Sequence, residues 1–225
     1  MNDRYTTLRT SSASIVIDSA ARRVLRNTYL LLSLCLGFAA VSAGATAAMG
    51  LPYPGLLLTM VGYFGLLYLV TANRNSGKGV AFLFALTGFM GYTLGPIIGM
   101  YLKLPNGAQV VMTALGGTAA IFLALSAYAL FSKRDLSFLG SFLMTGVLVA
   151  FLTGLAALFL NLPALSLAVS AVFVLLMSGM ILFETNNIVR GGETNYVMAT
   201  LSLFISLFNL FTSLLHLLGF ASSKE

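Results

Sequence analysis

The chain has 225 residues, of which 59% are hydrophobic, with twelve Lys and Arg and only six Asp and Glu. Charged residues make up 8%, against about a quarter in soluble domains, and a water-soluble globule of this length could not cover its surface with so few. That excludes an ordinary soluble enzyme, a disordered chain and a nucleic-acid binder working by charge density; it points to an all-α protein that crosses a membrane several times.

Residues 1–26 form a polar, Ser/Thr-rich tail carrying Arg4, Arg9, Arg22, Arg23 and Arg26, a composition expected of a poorly ordered cytoplasmic segment. The apolar run that follows is too long for the core of a cleaved signal sequence, and further runs come after it. Breaks at Pro, Gly, Asn and charge then divide the chain into seven expected spans: 28–49, 54–72, 79–102, 109–132, 137–160, 164–187 and 196–220. Each is near the roughly 20 apolar residues a bilayer requires. The short connections predict one seven-helix transmembrane domain over 27–220, with a short tail at 221–225.

The cations orient the bundle. The first tail, Arg74, Lys78, Lys133, Arg134 and Arg190 fall on one side, and only Lys103 and Lys224 on the other. The positive-inside rule places the N-terminus in the cytoplasm and the C-terminus on the far, periplasmic side. Leu-Pro recurs in all three loops of that far side, at Leu51-Pro52, Leu104-Pro105 and Leu162-Pro163. A shared turn role and chance recurrence of an abundant residue explain this equally well.

In lipid, helices associate by close packing, so small residues mark contact faces. The third span offers Gly88, Gly91, Gly95 and Gly99; the fourth offers Thr113, Gly117, Ala120, Ala124 and Ala127. Both sets read as packing seams. The last span carries Asn195, Ala199, Ser202, Ser206, Asn209, Ser213 and His216 at alternating four- and three-residue spacing. This polar stripe is expected to be buried, either as interhelical hydrogen bonding or as a solvated path.

Five of the six acids lie in tails or loops, and the sixth, Glu184, falls near the cytoplasmic end of the sixth span. An ionised group costs up to about 2.5–3.5 kcal/mol at mid-bilayer, and less near a span's end, where the side chain can reach the interface. It reads either as a protonation-sensitive latch or ion contact, or as a carboxylate pinned to a loop Arg. Enzyme signatures are poor. The chain lacks a serine elbow, a pair of intramembrane acids and a phosphate-binding loop, so no catalytic residues, cofactor or metal site are expected. Cys35 is the single cysteine and supports neither a disulfide nor a metal cluster.

Several segments together carry a resemblance. They are Val24-Leu25-Arg26-Asn27-Thr28-Tyr29, Leu125-Ser126-Ala127-Tyr128, and Lys133-Arg134-Asp135-Leu136 continuing through Gly140. To these are added Phe183-Glu184-Thr185-Asn186-Asn187-Ile188, Gly191-Gly192-Glu193-Thr194-Asn195-Tyr196, Asn209-Leu210-Phe211 and the Gly-Phe-Ala-Ser-Ser ending. Across nearly the whole chain this resembles the Bax-inhibitor (TMBIM) family. The resemblance implies a seven-helix bundle with the last helix central. Some bacterial members are pH-gated calcium leak channels whose gate pairs an acid in span six with one in span seven. Glu184 stands at the first position, but Ser206 occupies the second and Asn209 follows it. A calcium or proton leak through Glu184 and the polar stripe is therefore the second reading. The first is that of a bacterial branch associated with FtsH, the ATP-dependent protease of the inner membrane. Its members modulate quality control as slowly processed substrates, with the N-terminal tail as the handle.

Overall fold

The computed structural model describes residues 19–132 and 134–222. The described residues form seven helices: α1 (Ser19–Ala48), α2 (Leu56–Ala72), α3 (Gly77–Leu102), α4 (Gly107–Phe131), α5 (Leu139–Phe159), α6 (Pro163–Val189) and α7 (Tyr196–Ser222). Six are long and apolar enough to cross a membrane, and α2, with 17 residues, is shorter but still at the lower limit of the spanning range. The protein is a multi-pass membrane protein.

Six helices start and stop within two residues of the expected spans. The exception is α1, which begins at Ser19, eight residues before the expected edge of the bundle at 27. The membrane boundary is not a helix boundary. Ala20, Ala21, Arg22, Arg23, Leu25 and Arg26 all favour helix, so the helix continues beyond the apolar run. The expected tail is thus partly helical, and its first 18 residues lie outside the described residues. The expected C-terminal tail likewise loses Ala221 and Ser222 to α7. Lys133 and residues 223–225 also lie outside the described residues.

Helix α7 is central. It packs against α6, α4, α1 and α3, and half of its most apolar stretch is buried. Helices α2 and α5 are peripheral, α2 lying on α3 and α5 on α6.

The most extensive pairing is α1 with α3, along the predicted glycine seam. A β-carbon at Gly95 would lie 2.7 Å from the Ala43 carbonyl oxygen, and one at Gly88 would lie 2.5 Å from the Phe38 ring. Without side chains at these positions the backbones come close enough for the Ser42 hydroxyl to donate to the Gly88 carbonyl at 2.8 Å. The opposing face of α1 is small as well: Cys35, Ala39, Ala43 and Thr46 are buried.

The seam expected on α4 is not the buried one. Thr113, Ala120, Ala124 and Ala127 are exposed, and Gly117 is half-buried against Leu214. The buried face carries Val110, Val111, Ala114, Thr118, Ser126 and Ala129. Small residues tolerate lipid as well as protein, so their spacing alone could not choose between the faces. The Leu-Pro pairs also diverge, since Pro163 opens α6 in its first turn, where a missing N–H costs nothing, while Pro105 lies in a turn and Pro52 in the irregular α1–α2 connection.

Gly95→Leu should lower thermal stability in detergent by about 1–3 kcal/mol or more, as overpacking does. Gly37→Leu, on an open face of α1 with nothing within 4 Å of its β-carbon position, should leave the melting temperature unchanged.

Candidate functional site

The last turn of α6 and the first of α7 are built by local chemistry. Gly191 has φ 76°, a left-handed conformation suited to glycine. The Gly191 N–H donates to the Ile188 carbonyl at 3.0 Å and the Gly192 N–H to the Asn187 carbonyl at 2.9 Å, the Schellman pattern that closes a helix. Three residues on, the Asn195 side-chain oxygen accepts from the Val197 and Met198 N–H groups at 3.0 and 3.1 Å. Asn195 is thus the N-cap of α7. Its own N–H donates to the Glu193 carboxylate at 2.6 Å.

Glu184 sits just inside this turn, on α6, facing α7. It is half-buried. The Ser202 hydroxyl donates to its Oε1 at 2.8 Å. The structure therefore pairs the membrane acid with a serine of the polar stripe. Neither Ser206 nor Asn209 is used in this way. The Ser206 hydroxyl donates to the Ser202 carbonyl at 2.9 Å, and the Asn209 side-chain N–H to the Ile205 carbonyl at 2.9 Å. Both return to their own helix one turn back.

The stripe is divided rather than continuous. Ala199, Ser206 and Ser213 are buried, whereas Asn195, Ser202, Asn209 and His216 are half-buried. Near the far end, His216 Nδ1 and the Ser170 hydroxyl are 2.8 Å apart and join α7 to α6. Asn209 lies instead on the floor of a lateral recess of 640 Å³ between α2 and α5, among Phe64, Phe89, Phe151 and Phe208. These groups thus serve four separate places in the bundle.

Two asparagines do more than the sequence indicated. The Asn186 side-chain oxygen accepts from the Leu136 N–H at 3.3 Å, and its NH₂ donates to the Arg134 carbonyl at 3.2 Å. Buried on α6 at 2% exposure, Asn186 holds the α4–α5 loop through both faces of its amide. Asn195 donates to the Arg74 carbonyl at 3.0 Å and to Asn75 Oδ1 at 2.8 Å, holding the α2–α3 loop. Asn186 was visible only as a member of a motif, and Asn195 as the first residue of the polar stripe. Their partners lie 50 and more residues away and leave no local trace.

In the α4–α5 loop, Asp135 accepts from both the hydroxyl and the N–H of Ser137. These two bonds, helped by the Arg190 charge, hold its carboxyl below the usual carboxylate range. Deeper, Tyr29 Oη lies 3.5 Å from Thr185 Oγ1, and the Thr200 hydroxyl reaches the Thr28 carbonyl at 3.3 Å. A belt of hydroxyls therefore links α1, α6 and α7 beside Glu184.

A family model described as inhibitor of apoptosis-promoting Bax1 matches residues 21–223, which takes in every element of this site. The chain belongs to this Bax-inhibitor family. Among its relatives, "Modulator of FtsH protease YccA" of Escherichia coli strain K12 is 54% identical over 203 residues, covering 90% of this chain and 92% of that one. "Inner membrane protein YccA" of Escherichia coli O6:H1 matches to the same extent. An "Uncharacterized membrane protein" of Vibrio cholerae is 41% identical over 96% of this chain and 97% of its own. In this Bax-inhibitor chain the acid of α6 has a hydroxyl, not a second acid, as its partner on α7.

Asn186→Ala would leave the buried Leu136 N–H without its partner, a cost of about 1–3 kcal/mol, and would release the Arg134 carbonyl. The expected outcome is faster trypsin cleavage after Arg134 in membrane vesicles, with the rest of the bundle still resistant.

Proposed function

We propose that this chain is a multi-pass protein of the bacterial inner membrane that modulates the ATP-dependent protease FtsH. It catalyses no reaction of its own. It acts as a slowly processed substrate that occupies the protease during membrane-protein quality control. The observation that carries this reading is the 54% identity, over 90% of the chain, with the Escherichia coli modulator of that protease. The location follows the relative named as an inner membrane protein.

The N-terminus lies in the cytoplasm and the C-terminus in the periplasm. Support comes from the cations: α1 begins, and the α2–α3, α4–α5 and α6–α7 connections lie, at the end that holds Arg22, Arg23, Arg26, Arg74, Lys78, Arg134 and Arg190. Lys103 is at the other. The handle is the polar segment of residues 1–18, which lies outside the described residues. An unfolding protease needs such a segment to engage. Slow processing then follows from the α1–α3 seam, the first close-packed pair that extraction from that end would have to part.

Deleting residues 2–18 should lengthen the protein's half-life in FtsH-containing cells several-fold while leaving its membrane insertion intact, since Arg22, Arg23 and Arg26 remain. Pulse-chase with and without the protease measures this. Unchanged turnover would remove the tail as handle. Overproduction of the full chain should slow degradation of a second FtsH substrate, and an undiminished rate would sink the proposal as a whole.

A further inference from the structure

We propose that the cytoplasmic-end slot between α1 and α4 is a binding site for one anionic phospholipid, with its phosphate between Arg22 and Arg26 and an acyl chain against Leu25, Tyr29 and Leu130. These five residues line a recess of 280 Å³. Its lining includes neither Glu184 nor the loop-holding asparagines.

Four of the five lie at 22, 25, 26 and 29, a single face of a helix. Arg22 and Arg26 are both exposed, at the end of α1 that precedes its apolar run. Leu25 and the Tyr29 ring follow toward the bilayer. The opposite wall is Leu130, in the last turn of α4. The slot exists because α1 packs on α3, α7 and α6, while α1 and α4 are not a close-packed pair. The Tyr29 ring of this lining also meets Phe122 of α4, with centroids 5.7 Å apart. The lining is almost wholly apolar and would take an acyl chain, while the exposed Arg22 and Arg26, whose stems help to line it, carry their charge beyond it, where a phosphate would sit.

The electrostatics call for an anion. Arg22 and Arg26 stand in the first two turns of α1, whose first turn contains no acid; Asp18, which precedes it in the sequence, lies outside the described residues. Cations at a helix N-terminus face the positive end of the helix dipole. The three described acids are engaged elsewhere: Asp135 by Ser137, Glu184 by Ser202 and Glu193 by Asn195. An anion at the slot would offset two guanidinium charges and the dipole together. Planar guanidinium groups suit a phosphate, which they can bind through paired N–H donors. Basic pockets between membrane helices are suited to acidic headgroups. The depth also fits, because Arg26 lies two residues before Thr28, where the chain becomes continuously apolar.

The test uses full-length protein, purified and reconstituted in nanodiscs containing equal amounts of phosphatidylglycerol and phosphatidylcholine, then released and weighed by native mass spectrometry. The protein should retain one phosphatidylglycerol in preference to phosphatidylcholine by roughly ten- to thirtyfold, the scale that two interfacial arginines supply. R22Q/R26Q should abolish that preference, and R74Q/K78Q, at the same membrane face, should keep it. L130W fills the slot while keeping every charge, and should also expel the lipid; its melting temperature checks that it is folded. Equal retention of both lipids by the parent protein would overturn the site. So would undiminished preference in R22Q/R26Q or in L130W, or equal loss in R74Q/K78Q. Displacement by inorganic phosphate or by an acidic peptide would also overturn it, because the occupant would then not be a lipid.

Discussion

Inside a bilayer a polar group has no water to turn to, and α7 is the helix on which that constraint falls hardest. It carries Ser202, Ser206, Asn209, Ser213 and His216 through the middle of the bundle. Each of those with a described bond meets the constraint with a single short one: to Glu184, to a carbonyl one turn back, or to Ser170. The placement of the other helices follows. Helix α6 must lie where Glu184 and Ser170 can reach it. Helix α1 must bring Thr28 to Thr200. Helices α2 and α5, which among the described residues share no such bonds with α7, remain at the rim.

The second organising device is the absence of side chains. Between α1 and α3 there is no hydrophobic driving force beyond what lipid already offers, so contact rests on close approach of backbones. Gly88, Gly91 and Gly95 permit that approach, and Ser42 turns it into an interhelical hydrogen bond. The same chemistry recurs more weakly between α5 and α6. There, Gly146 admits Leu176, and Gly179 admits Leu143.

The number, order and ends of six helices were legible as apolar runs broken by Pro, Gly and charge, and the α3 seam as a four-residue glycine period. The start of α1 was not, because an apolar run reports the bilayer while Ala20 to Arg26 report helix propensity. The buried face of α4 was not legible either. Ala120 and Ala124 are as comfortable against lipid as against protein, and only the neighbours decide. Of the candidate site, Glu184 stood out as an acid in an apolar span. Its partner did not, since Ser202 and Ser206 are equally polar and equally periodic. That Ser206 bonds to its own helix, and that Asn186 and Asn195 hold distant loops, are facts of tertiary contact. The link to proteolysis came from neither spacing nor geometry but from the resemblance of whole segments, and a relative named as a modulator of FtsH bears it out.

The seam between α1 and α3 also has a mechanical consequence. Its close contacts, from Phe38 on Gly88 to Thr46 beside Gly95, are strung along both helix axes rather than gathered at one end. A pull on the N-terminal end of α1, directed along its axis, would slide one helix past the other and strain those contacts together. A sideways pull would open them one after another, like a zip. The bundle is thus anisotropic: strongest along the bilayer normal, the direction in which a machine beneath the membrane would draw the chain.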